Sequence, residues 1–162
     1  MTSRWKRLAA IGGLTTAAAA GTVLATPAVG TSGIVLVRAA FDEIAAKAET
    51  DTYEAELRTK GFVDVVVNHN KMAAGGTSGW HTHPGTTIVS IKSGSLTLYD
   101  ADDPTCTARV YGAGTGFVDP GGGHVHIARN EGQAEAEWYS TYIIPRGGAT
   151  RIDASNPGIC AF

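Results

Sequence analysis

Gly79-Trp80-His81-Thr82-His83-Pro84-Gly85-Thr86-Thr87 places two histidines one residue apart, and His124-Val125-His126 does so again. Side chains at i and i+2 of a β-strand point to one face, so each pair can present two imidazoles to a common cavity. Four of the five histidines fall in these pairs. The fifth, His69, sits between Asn68 and Asn70 at what reads as a strand end, and is expected on the surface. Neutral imidazole is the commonest protein ligand for late first-row metals, which makes the paired histidines a candidate metal site.

Around both pairs, turn residues and short apolar runs succeed each other. Gly75-Gly76 and Ser78-Gly79 open a strand expected over residues 80–91, which Ser93-Gly94 closes. Upstream, strands are expected at 34–37, from Tyr53 through Leu57, and at 63–67, ending at Asn68. Residues 41–48 fit either a short helix or an edge strand. Downstream candidates are 95–99, 108–111, 114–118, 124–129 and 138–144, before Pro145 and Gly147-Gly148 end the series. With 21 glycines in 162 residues and no long charged run, the chain must turn often. Many short strands at this spacing predict an all-β sandwich or barrel.

Arg4, Lys6 and Arg7 precede an uncharged run over residues 8–25 rich in Ala, Gly, Thr and Leu, the layout of a secretory signal peptide. Ala25 and Ala28 offer cleavage points, and Ala28 is preferred because a cut after Ala25 leaves Pro27 close behind it. A membrane anchor is the weaker reading, since the run is marginally long for a bilayer and diluted by Gly and Thr. Residues 1–28 are therefore read as a leader and 29–162 as one secreted domain without stable membrane association. The three leader cations belong to a total of 13 Lys and Arg against 15 Asp and Glu, so the remainder is acidic. It lacks a basic stripe for phosphates, and nucleic acid is a poor partner. Cys106 and Cys160 both lie in the exported part, where an even count favours one disulfide. Turn residues beside each suit a staple between a loop and the C-terminal tail, which in the chain-entropy model contributes about 4 kcal/mol.

With Gly94 behind it, the opening stretch resembles the first motif of the cupin superfamily. Residues 114–130, with Pro120-Gly121-Gly122 and His126-Ile127-Ala128-Arg129-Asn130, resemble the second. The resemblance implies a jelly-roll β-barrel of short antiparallel strands holding a divalent metal through two His and a Glu from the first motif and one His from the second. Carried onto this chain, it implies His81, His83 and His126. Two departures matter. Thr87 stands where the family has its glutamate; parity sets it on the face of His81, His83, Val89 and Ile91, but it is too short to replace a carboxylate. A three-histidine site is expected, with Thr87 at most hydrogen-bonding a metal-bound water. One extra residue in the glycine-rich turn keeps both His124 and His126 as candidates for the third ligand, and His126 is favoured because its distance to Asn130 matches the motif. Gly121 to Gly123 then form a tight turn that swings His126 toward the metal.

Three neutral imidazoles leave a dication's charge uncompensated, so the site favours anionic chelators such as β-dicarbonyls, carboxylates or thiolates. Iron, zinc, nickel and manganese all fit. Trp138 and Tyr142 share parity and are either core or cavity wall, with Tyr139 on the opposite face. Asp100, Asp102 and Asp103 read as a solvated acidic turn. No nucleophile paired with a base and no phosphate-cradling glycine motif is visible. Two functions remain open: a metal-dependent enzyme, for which the resemblance offers dioxygen-activating three-histidine cupins as precedent, and a non-catalytic module capturing an extracellular small molecule or metal. The expected partner is a small-molecule ligand or substrate, and a homodimer is compatible with either.

Overall fold

The computed structural model describes residues 25–162, so the expected leader lies almost wholly outside the described residues. The chain forms β1 (Val29–Phe41), β2 (Ala45–Thr50), β3 (Tyr53–Arg58), β4 (Val63–Thr77), β5 (His81–Thr82), β6 (Thr86–Ser93), β7 (Ser95–Asp100), β8 (Arg109–Gly112), β9 (Gly116–Asp119), β10 (His126–Arg129), β11 (Ala136–Pro145) and β12 (Ile152–Asp153). Among the described residues no helix is long and apolar enough to cross a membrane. Ten strands build a nearly closed antiparallel barrel from two runs of neighbours, β1-β4-β11-β6-β9 and β12-β5-β10-β7-β8. The runs join where Arg129 of β10 pairs with Thr77 of β4. β2 and β3 form a separate hairpin, so the ambiguous stretch at residues 41–48 ends β1, turns over residues 42–44 and opens β2, with no helix.

Period-two alternation positions the interior. Along β6, Thr87, Val89 and Ile91 are buried while Ile88, Ser90 and Lys92 are exposed. Val89 and Ile91 join Met72, Leu96, Leu98, Ala128 and Ala136 in the main core, against which Tyr111, Phe117 and Trp138 pack. A second apolar layer lies on the outer side of β10. There Trp80, Tyr99 and Ile127 are covered by the C-terminal tail through Ala154, Ile159 and Cys160, and the Cys106–Cys160 disulfide pins that tail. Trp80 outside and His81 inside follow from the same alternation.

Three expected boundaries are corrected. The strand expected over residues 80–91 is broken into β5 and β6. Pro84 cannot donate to a ladder, and Gly85 runs so close to β11 that a Cβ there would lie 2.2 Å from the Ile143 carbonyl oxygen. The strand expected to stop at Asn68 continues as β4 through Gly75-Gly76 to Thr77, paired along most of its length with β1 and β11. Its polar stretch Asn68-His69-Asn70 marks passage over a cavity, with no end to the strand there. Finally, β10 begins at His126, because Gly121, Gly122 and Gly123 all take positive φ, a left-handed turn that only glycine adopts freely, and His124 belongs to that turn.

Candidate metal centre

β5 and β10 are paired so that His81 lies directly opposite His126, and the chain then bends at Pro84 with His83 still facing inward. The three imidazoles are buried, His81 and His83 at 6% exposure and His126 at 3%. Each can offer one nitrogen such that all three lie within 4.8 Å of one another. Their other nitrogens define the tautomers. His81 Nδ1 lies 2.9 Å from the Gly79 carbonyl oxygen, and His83 Nδ1 lies 2.6 Å from that of Thr150. A carbonyl only accepts, so both Nδ1 atoms must donate, which leaves each Nε2 with a free lone pair. His126 Nδ1 is buried, 3.5 Å from Asp119 Oδ1. Burial pushes the His81 imidazolium down to about 3, helped by the nearby Arg151 charge and by His83. Burial likewise lowers His83 and His126. All three are neutral near pH 7, the form that binds metal.

The site opens on a cavity of about 280 Å³. Its floor is apolar, with Met72, Val89, Leu96 and Phe117, while Asn68, Asn70, Thr87, Asp119, Ser140 and Arg151 supply polar walls. Trp138 and Tyr142, held between core and wall by parity alone, both line it. The Tyr142 ring packs 5.3 Å from His83, and Trp138 Nε1 donates to Ser140 Oγ at 3.2 Å.

Thr87, at the position where the family carries glutamate, is 1% exposed and its Oγ1 has no partner among the described residues. A carboxylate is nevertheless present. Asp119 of β9 is the cross-strand neighbour of Thr87, lines the cavity and is 3% exposed. Its Oδ2 accepts the Gly121 N–H at 3.1 Å, and its Oδ1 lies 2.6 Å from His124 Nδ1. His124 therefore stands behind the cavity wall. It groups with Asp119 and His126, and separately with Asp100 and Asp102, and it is not part of the His81–His83–His126 cluster.

His69 lies on the outer face of β4, stacked 5.0 Å from Tyr139 and 2.5 Å from Glu137 Oε1, with Lys92 on the same carboxylate. It is half-buried rather than freely exposed, and away from the cluster. In the acidic turn, Asp103 accepts hydrogen bonds from Thr105 and Thr107, while Asp100 pairs with Arg109.

The sequence reading missed Asn68, Asn70, Asp119, Ser140 and Arg151. One signal was available: Val66, Asn68, Asn70 and Met72 share parity, and amides inserted into an inward apolar series mark a polar cavity wall. For Asp119 the signal was its place beside the Pro120-Gly121-Gly122 turn. Arg151 carried none, because the pairing of β12 with β5 is non-local.

Residues 68–142 match the family model of the cupin domain. The polyketide cyclase RemF from Streptomyces resistomycificus superposes with a TM-score of 0.53 at 14% identity, over 90% of this chain and 91% of that one. An oxalate oxidase gives a TM-score of 0.45 at 29% identity over 52% and 44% of the two chains. A cupin domain from Bordetella pertussis gives 0.42 at 19% over 63% and 93%. No curated protein matches. The barrel, the two histidine motifs and the domain match agree, and residues 68–142 form a cupin domain.

Proposed function

We propose that this protein is a secreted cupin in which His81, His83 and His126 hold a divalent transition metal, and that it acts on a small anionic, chelating organic molecule in the adjoining cavity. The carrying observation is the set of three buried, neutral imidazoles, two of them fixed by backbone carbonyls with Nε2 free. The metal would supply Lewis acidity and affinity for anions. Iron, zinc, nickel and manganese are compatible with three imidazoles, and the choice among them follows availability as much as geometry. The chain's own part is to orient the imidazoles, to keep the cavity floor apolar, and to provide Asp119 as an acceptor backed by His124. That carboxylate favours an enzyme, because it supplies the acid–base group the motifs alone lacked. Non-catalytic capture of an extracellular small molecule or metal is the second reading, favoured by Thr87 in place of a charged ligand.

Metal analysis of protein isolated without chelators, followed by oxygen-uptake assays over small carboxylates, β-dicarbonyls and thiols, tests both. Turnover with uptake supports the enzyme, tight anaerobic binding without turnover supports the capture module, and absence of bound metal overturns the reading.

Export is supported by the leader-like residues and by the disulfide, which persists in oxidising compartments. Thr26 Oγ1 accepts the Trp80 N–H at 2.6 Å, a contact that cleavage after Ala25 retains and cleavage after Ala28 removes. Intact mass of the exported protein decides between the two sites, and full-length chain in the membrane fraction overturns export. Assembly into a homodimer is favoured by β1, which exposes Ile34, Val35, Leu36 and Val37 each by more than half.

A further inference from the structure

One cavity-lining charge has no role in the site described so far. β12 pairs with β5 through Ile152 opposite Thr82 and Asp153 opposite His81, so the next residue in register, Arg151, falls opposite His83. Directly opposed residues of an antiparallel pair project to the same face, which directs Arg151 toward the imidazoles, and it lines the cavity. The preceding residue, Thr150, is the one whose carbonyl fixes His83.

Arg151 is only partly compensated. Its Nε donates to Asp153 Oδ1 at 2.6 Å, but Asp153 is 55% exposed along its side chain and sits at the rim. Its Nη2 is buried without an acceptor among the described residues. A buried charged donor left unsatisfied is costly, and a bound ligand is the expected source of its acceptor. Apart from the histidines, the described residues lining the cavity carry two charges, Asp119 and Arg151. Asp119 is engaged by His124 and the Gly121 N–H, which leaves the guanidinium as the group free to meet a ligand. The Arg151 charge already reaches the site, since it helps hold the His81 imidazole neutral.

We propose that Arg151 is the anion anchor of the cavity, and that the ligand is a short two-headed organic acid, a dicarboxylate or keto acid, with one head at the imidazole-bound metal and a carboxylate on the Arg151 fork. This rests on the metal reading given above and narrows its ligand class. The planar fork matches a carboxylate with two parallel hydrogen bonds, which a lysine ammonium cannot reproduce.

Calorimetric titration of the zinc-loaded protein with malonate, its monoamide malonamate and acetate tests the assignment. Arg151→Gln should keep the parent's zinc content, lose malonate affinity at least tenfold, and leave malonamate affinity unchanged. Arg151→Lys should fall between, and it takes over the comparison should the glutamine variant fail to fold. Equal malonate affinity in parent and Arg151→Gln, an equal loss for malonamate, or a parent that binds none of the three acids overturns the anchor. A parent that holds no zinc removes the metal reading alone. The same malonate titration on metal-free protein then decides the anchor, with loss in Arg151→Gln supporting it and equality overturning it.

Discussion

β6 and the β2–β3 hairpin are built on the same pattern and meet opposite fates. Along β6 every second side chain is buried: Thr87 and Val89 line the cavity and Ile91 packs in the core beneath it. The hairpin alternates as well. The cross-strand pairs Ala46–Leu57, Ala48–Ala55 and Thr50–Tyr53 make one face, while Lys47–Glu56 and Glu49–Glu54 make the other. Yet every residue of β2 and β3 is exposed. Amphipathic alternation specifies a strand, but only a second surface turns its apolar face into stability. An isolated two-stranded hairpin is marginal in water, and exposed ion pairs such as Lys47 with Glu49 and Glu54 add little. The folding energy therefore resides in the barrel, and the arm draws its order from being spliced between β1 and β4.

The largest effect that tests this contrast is on metal. His81→Ala or His83→Ala should weaken zinc or iron binding by more than about 100-fold, because loss of even an outer-shell partner costs 10–100-fold. Chelator competition on folded protein measures it, and parental affinity in both variants sinks the site. His126→Ala should match them, whereas His124→Ala should lose far less. An equal loss for His124→Ala means that the residue behind the wall binds metal too.

The second effect is on the core. Ile144 is fully buried, and Ile144→Ala should cost about 2–5 kcal/mol in denaturant unfolding. A cost below 1 kcal/mol means that this end of the barrel is loosely packed.

What was legible in the sequence divides along the same line. The two His-x-His pairs, the strand periodicity around them and the cysteine pair are local signals, and each maps onto something the structure contains: β5, β6, β10 and the Cys106–Cys160 bridge. The inward course of Asn68 and Asn70 was hidden, because polar residues at core parity look like the end of a strand until a cavity is known to lie beneath them. Asp119 and Arg151 were hidden for a different reason. Each reaches the site only through a strand pairing, β9 with β6 and β12 with β5, and register between distant segments is written in no single stretch.

A third effect comes from protons. In the metal-free protein His81 titrates near 3 when folded, against 6.5 when unfolded. Below pH 6.5 the unfolded chain binds a proton that the native state refuses, so this contribution is fully present above pH 6.5 and is lost as pH falls toward 3. The slope approaches about 1.4 kcal/mol per pH unit for one such group, and His83 and His126 act in the same direction. Melting temperature measured from pH 7 to pH 4 should fall without metal, and His81→Gln should flatten the fall. A variant as acid-sensitive as the parent assigns the loss to other groups.

The smallest effect belongs to the arm. Leu57 is 39% exposed and faces Ala46 across the hairpin. In dilute protein, Leu57→Ser should change unfolding free energy by no more than about 0.5 kcal/mol, as surface substitutions away from packed features do. That near-silence is what the comparison demands of a face that stays largely exposed. The homodimer proposed through β1 leaves it independent of concentration. A second copy seated on β1 would add stability by mass action, so the melting temperatures of the parent and of Leu57→Ser would rise alike with protein concentration. If only the parent's rises, the copies meet on the arm. If neither rises and Leu57→Ser still costs 2 kcal/mol or more in dilute solution, the hairpin has a packing partner within its own chain and the contrast with β6 fails.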